Sequence, residues 1–218
     1  MSDQQDGGGP GRAERAGVSW AQLMSLFDTE AKARRWFERQ RWPHGVRCAW
    51  CDGERVNRAK PPAQPYRCLS CGRRFSVKAN TFMHRSPLPL SKWGLALYLV
   101  TTGLKGVSSM KLHRDLGITQ KSAWHLLHRI RAVLDDPELK APRRKASKQA
   151  RRNAISITRA RMGTFHQLSE KHLPNYVSEV RGRDGIRSLD TLEQMGLLVR
   201  RGVGRRLSYA DLTGRSDS

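Results

Sequence analysis

The sequence predicts a mainly α-helical protein that carries one small β ribbon. Three observations carry that reading. All four cysteines fall as two C-x-x-C pairs, Cys48/Cys51 and Cys68/Cys71, with only residues 52–67 between them, which leaves room for short strands alone. Apolar residues on both sides of this segment recur at three- and four-residue spacing, the helical period. Of the 218 residues, 38% are hydrophobic and 7% aromatic, lean for one large core and suited to a few small modules.

The N-terminus, residues 1–18, is polar and Gly-rich and has no apolar h-region. It reads as a disordered lead-in and not as a secretory signal. Residues 19–45 read as a helical lead-in, one short helix and one longer helix running to about Gln40. Asp28 is the expected cap of the second helix. Leu23, Leu26, Phe27, Ala31, Trp36 and Phe37 form the face expected to pack on the ribbon. Pro43 and Gly45 end this unit.

Residues 46–86 are the ribbon. "RVNRA" and "PYRC" are its first two strands, "KPPAQP" the loop between them and "RRFSVKANT" a third strand. A C-x-x-C places two sulfurs on one tight turn. Two such knuckles supply Cys48, Cys51, Cys68 and Cys71 as a tetrahedral set for Zn2+, with thiolate distances near 2.3 Å. Gly53 and Gly72 follow the pairs, where a knuckle needs positive φ. Without a secretory signal the chain is expected in a reducing compartment, where structural disulfides are rare. That favours zinc over two disulfides or a redox dithiol. Four cysteine ligands close the site, so the expected role is structural: a metal staple for a ribbon too small to hold a core of its own.

Residues 87–134 turn helical. Ser91 is the expected cap of a helix through about Leu104, with Trp93, Leu95, Leu97, Tyr98 and Leu99 largely core-facing, and Gly106 breaks it. Ser108 starts a second helix with Met110, Leu112 and Leu116 apolar. Gly117 ends it, Ile118 packs into the turn and Thr119 caps a third helix. The core face of that helix is Ala123, Leu126, Leu127, Ile130 and Val133. Two short helices joined by "LGIT" read as a helix-turn-helix. Its second helix is expected in a DNA major groove, with Thr119, Gln120, Lys121 and Ser122 nearest the base edges. His125, His128, Arg129 and Arg131 lie further along, where phosphate contacts are expected.

Residues 135–160 read as a basic linker, and residues 161–213 as a short helical C-terminal segment. There Ser169 and Asp190 are expected caps, Asp190 with Glu193 makes a capping box, and Pro174 limits the first helix. Asp135 and Asp136 are adjacent, and paired acids can bind magnesium. No scaffold fixes a third ligand, so they read as solvated helix-terminal acids. The formal net charge is +22 and the pI about 11.1. A compact chain repels itself at that charge unless a polyanion neutralises it, so double-stranded DNA is the expected partner. No apolar run approaches the roughly 20 residues of a membrane span, so no membrane partner is expected. The expected localisation is cytoplasmic and nucleoid-associated.

"RWPHGVRCAWC", "YRCLSCGRRFSVKANTFMHRSPLPLSKW" and "LGITQKSAWHLLHRIR" resemble the N-terminal zinc-ribbon and helix-turn-helix region of a group of bacterial insertion-sequence transposases. The resemblance runs from about Ser19 to Leu134. It includes the Trp–Pro–x–Gly lead-in, the four cysteines, the passage through Thr81, Phe82 and Ser86, and Trp124. It implies binding to the terminal repeats of a mobile element. The family continues into an RNase H-like domain whose acidic residues bind two divalent metals for strand transfer. Here residues 135–160 stand in that place, whereas such a core needs on the order of 100 residues. The family's far C-terminal pattern resumes from "MGTFHQLSEKHLPNYV". Ser156 sits where the carboxylate of an Asn–x–Ile–Glu segment belongs, and no catalytic residue carries over.

The expected function is therefore a transposase-derived DNA-binding protein with its catalytic middle deleted, inactive in transposition. The alternatives are an active transposase, which would need Mg2+, and an interaction protein that associates with intact transposase or with itself as a dominant-negative regulator. In an intact enzyme Leu192, Met195, Leu197, Leu198 and Val199 would pack on the catalytic sheet. Here that face is expected to be exposed, to dock on the N-terminal module, or to drive association.

Overall fold

The computed structural model describes residues 16–58, 65–103, 106–139 and 173–213. Residues 1–15, most of the expected loop (60–64), Leu104, the linker from residue 140 onward, Ser156 and the expected cap Ser169 lie outside these. Two helices come first, α1 (Trp20–Phe27) and α2 (Glu30–Arg41). Ser19 and Gln22 form a capping box at α1, with mutual hydrogen bonds of 2.9 and 3.2 Å. Thr29, and not Asp28, caps α2 by accepting the Lys32 amide at 3.3 Å. Asp28 closes α1 and pairs with Lys32 at 2.7 Å. Ala33 is buried and Ala31 exposed. Ala33 lies three and four residues before Trp36 and Phe37 and so shares their stripe, which Ala31 does not. Phe27, Trp36 and Phe37 meet edge-on, with Phe27–Trp36 centroids 5.2 Å apart and Trp36–Phe37 5.0 Å apart.

The ribbon is a three-stranded antiparallel sheet in the order β1 (Val56–Arg58), β2 (Tyr66–Cys68), β3 (Arg74–Phe75). The third strand is shorter than the sequence predicts. The Arg41 guanidinium takes the carbonyls of Val77 and Ala79, each at 2.7 Å, and the Ala79 amide turns back to Ser76. Those backbone groups are satisfied by α2 and a turn, so no ladder continues past Phe75. Trp42, at the end of α2, lies edge-on to both Tyr66 and Phe75. The Trp–Pro–x–Gly lead-in is thus a packing joint between helix and ribbon.

The main core gathers α1, α2, α3 (Leu90–Thr102), α4 (Ser109–Leu116), α5 (Gln120–Leu134), α6 (Leu173–Gly185) and α7 (Thr191–Arg201), with a last short helix α8 (Tyr209–Thr213). The cap of α3 is not Ser91. Glu30 of α2 reaches across and accepts the amides of Leu90 at 2.9 Å and Ser91 at 3.2 Å, the N-terminal donors a helix leaves unpaired. Gly103 ends α3 before Gly106. Gly117 takes left-handed backbone (φ 59°, ψ 42°) between α4 and α5, and Thr119 caps α5 by accepting the Ser122 amide at 3.2 Å.

Of the three fates for the C-terminal apolar face, docking on the N-terminal helices is the one observed. Met195, Leu198 and Val199 are buried against α2 and α3, while Leu192 stays exposed. The Asp190–Glu193 capping box is present. Pro174 sits in the first turn of α6 and opens that helix instead of limiting it, where its missing N–H costs nothing. Thr81 bridges to Val203, flanked by Phe82 N–H to Gly202 O at 3.0 Å and Gly204 N–H to Asn80 O at 2.8 Å. Asp136 is buried and pairs with Arg205 at 2.9 Å, and Asp135 accepts the Ser178 hydroxyl. Asp136 is thus a fold contact, contrary to the solvated reading, whereas Asp135 stays exposed at the end of α5 as expected. Among the described residues no helix is long and apolar enough to cross a membrane.

Candidate functional site

The two C-x-x-C turns fold as near copies. In each, the first cysteine's carbonyl accepts the amide four residues on (Asp52 N to Cys48 O at 3.0 Å; Gly72 N to Cys68 O at 3.1 Å). Its own amide donates five residues on (to Gly53 O at 2.9 Å; to Arg73 O at 3.0 Å). The residue directly after the second cysteine takes positive φ. That is Gly72 at 70° in the second knuckle, but Asp52 at 57° in the first, where Gly53 was expected. Aspartate tolerates this conformation better than most residues, and Arg47 holds it through an ion pair at 3.1 Å.

The sulfurs converge. Cys48 Sγ lies 3.6 Å from Cys71 Sγ, Cys51 Sγ lies 3.6 Å from Cys68 Sγ, and all four fall within 4.8 Å of one another. A tetrahedron with arms near 2.3 Å has edges of about 3.8 Å, so the quartet can hold a metal ion and is compatible with zinc. Cys48 and Cys68 are buried, whereas Cys51 and Cys71 are exposed. Backbone amides of Cys71 and Ser70 pull the Cys68 thiol down to about 6. The Gly53 amide favours the Cys51 thiolate, but hydrogen bonds with the other three sulfurs push that thiol up to about 12. Four sulfurs this close do not all ionise unaided. A dication would take the place of the shared protons. The ribbon's small core (Tyr66, Phe75 and Ala79 beside the cysteines) is separate from the main core.

The expected DNA-facing residues divide along α5. Thr119, Gln120 and Lys121 are exposed and Ser122 half-buried. The Gln120 amide reaches Ser109 at 3.2 Å, and the Lys121 ammonium lies 4.7 Å from the Tyr209 ring centroid. The next residues differ from expectation. His125 is half-buried against Tyr209, and burial followed by the nearby Arg129 lowers its pKa, which keeps it neutral at pH 7. Arg129 donates to Leu207 O at 3.0 Å and His84 O at 2.8 Å. His128 packs against Trp124 and Tyr176, and Arg131 pairs with Glu179 at 2.7 Å with both side chains 2–3% exposed. His128 and Arg131 therefore face α6 and not solvent, which corrects their reading as phosphate contacts. Helix α6 comes from more than forty residues downstream, and no local period announces it.

Two aromatic residues near the site escape the sequence reading. Trp50, inside the first knuckle, is flanked by Arg73 and Arg206, with guanidinium carbons 5.8 and 5.9 Å from its ring centroid. Tyr209 sits over the start of α5. A tryptophan between two metal-site cysteines, in a ribbon rich in arginine, is the available signal for the first. Nothing local signals the second. The passage through Thr81, Phe82 and Ser86 has a packing role: Thr81 accepts the Met83 amide at 3.1 Å, Phe82 stacks edge-on with Trp93, and the Ser86 hydroxyl accepts the Trp93 indole N–H at 3.3 Å.

The chain is 29% identical over 116 residues to an uncharacterized protein in transposable element ISH50 of Halobacterium salinarum. The match covers 52% of this chain and 39% of that protein, so the chain spans about two fifths of its relative's length. No family model and no solved structure matches the chain significantly.

Proposed function

We propose that the protein is a transposase-derived DNA-binding protein that recognises the ends of an insertion element and is inactive in strand transfer. The observation that carries this reading is the exposed first turn of α5, with Gln120 and Lys121 facing out at the start of a helix that follows a Gly–Ile–Thr turn. The turn, the preceding helix α4 and the +22 charge fit a helix-turn-helix docked in a major groove. Gln120 is suited to adenine and Lys121 to guanine or a phosphate. Zn2+ is the ion that four thiolates at these distances fit best. The relative's place in a transposable element supports a transposon-related role.

The alternative, an active transposase, requires a carboxylate set for Mg2+. Among the described residues the one group able to hold a metal is the cysteine quartet, Asp136 and Glu179 are engaged in fold contacts, and Asp135 accepts the Ser178 hydroxyl. The test is Gln120→Ala/Lys121→Ala. Its expected effect is loss of the preference for a terminal-repeat duplex over a scrambled one, each bidentate contact being worth about 1–3 kcal/mol of discrimination. An unchanged preference, measured by fluorescence anisotropy, places base reading elsewhere.

A further inference from the structure

A cleft of about 380 Å³ opens between the ribbon and the junction of α2 with α3. Arg34 of α2, Arg74 of β3, Lys78, His84 and Arg85 line it, together with Trp50. At its rim Arg73 and Arg206 lie over the Trp50 ring. Four separate stretches of chain thus bring cations to one place. The acid in the wall, Glu30, has both carboxylate oxygens committed to the α3 amides of Leu90 and Ser91. Lys78 is held by the carbonyls of Ser86 and Leu88. Arg34, Arg74 and Arg85 form no ion pair with an acid among the described residues. Burial first, and then Arg206, Arg85 and Arg129, lower the His84 pKa, as a region of uncompensated positive charge would.

We propose that this cleft is a phosphate-binding subsite that takes a backbone phosphodiester of the DNA strand bound by α5. Converging guanidiniums suit phosphate oxygens, with which they form charge-assisted and often bidentate hydrogen bonds. Arg85 and Ser86 also line a smaller depression with Ser122 and His125 of α5. A strand leaving the cleft along that path reaches the first half of the reading helix. The proposal rests on the DNA-binding reading above and adds a second anchoring point to it.

The test compares zinc-loaded full-length wild type with Arg34→Gln/Arg85→Gln and with a control, Arg39→Gln/Arg55→Gln, which removes the same charge from exposed positions outside the cleft. Unchanged zinc content and thermal unfolding establish that the variants fold. Log K against log salt is measured on terminal-repeat and scrambled duplexes. Each phosphate that is no longer neutralised lowers the slope by about one. The cleft variant is expected to lower it by about one on both duplexes, for the one phosphodiester the cleft holds, and the control clearly less. An equal reduction in both variants means that only overall charge acts and overturns the proposal, as does an unchanged slope in the cleft variant. Binding of inorganic phosphate that disappears in the cleft variant while the DNA slope stays unchanged assigns the site to a free anion and overturns it too. Equal affinity of wild type for the two duplexes sinks the reading of α5, whereas the slope still decides the cleft.

Discussion

Stripping the metal from this protein is expected to unfold the ribbon and leave much of the helical core standing. The main core and the ribbon core are separate clusters, joined largely through Trp42. The ribbon has only three strands of two or three residues and a handful of buried side chains, far too little to fold unaided. Zinc binding to such four-ligand sites contributes on the order of 10 kcal/mol at pH 7. Purified protein should contain one zinc per chain. Chelation, or Cys68→Ser, should abolish amide-exchange protection in β1–β3 and free the ring packing around Trp42, with α3 and α5 retaining theirs. Reloading should release protons, because thiols of the unfolded ribbon, with an ordinary pKa of about 8.5, are largely protonated at neutral pH. Zinc affinity accordingly falls as the pH is lowered. Metal-free protein with an unchanged exchange pattern would show that the quartet is not a staple.

The second large effect lies at the α5–α6 contact. Arg131 and Glu179 are both nearly inaccessible, 2.7 Å apart, with the Tyr176 ring centroid 3.9 Å from the Arg131 guanidinium and Arg183 on the far side of the carboxylate. Removing one partner leaves a buried charge uncompensated, which costs about 3–5 kcal/mol. Glu179→Leu should therefore lower the unfolding midpoint by about 10 °C or more. Arg131→Met combined with Glu179→Leu should recover part of the stability, because it removes both members of the closest and most buried pair and leaves Arg183, 13% exposed, as the remaining charge there. A double variant as unstable as the single one would mean that packing, and not the charge pair, holds α6 in place. The comparison is made at one protein concentration by calorimetry.

What is readable from the sequence is local. The two C-x-x-C pairs specify the sulfurs, and the structure brings all four within reach of one ion. Gly117 and Thr119 set the α4–α5 turn, and Asp190 with Glu193 sets the start of α7. Each of these signals spans fewer than six residues. What the sequence hides is long-range. The cap on α3 comes from Glu30, sixty residues earlier. His128 and Arg131 look solvated on a helical wheel until α6 covers them. Asp52 serves where glycine was expected, because an ion pair with Arg47 and the tolerance of aspartate for left-handed backbone suffice. Glu179 is the overlooked clue: an acid with an arginine four residues on, in a chain where 41 lysines and arginines face 19 acids, is a natural partner for a buried cation.

The central claim is that α5 reads DNA sequence at element ends. An anisotropy titration of the zinc-loaded protein tests it most directly, with the element's terminal repeat against a scrambled duplex of equal length at one moderate salt concentration. Specific binding exceeds non-specific binding by about a thousandfold or more, and a preference on that scale is the result predicted here. Equal affinity for the two duplexes would contradict the claim and leave only the attraction of a +22 chain for a polyanion.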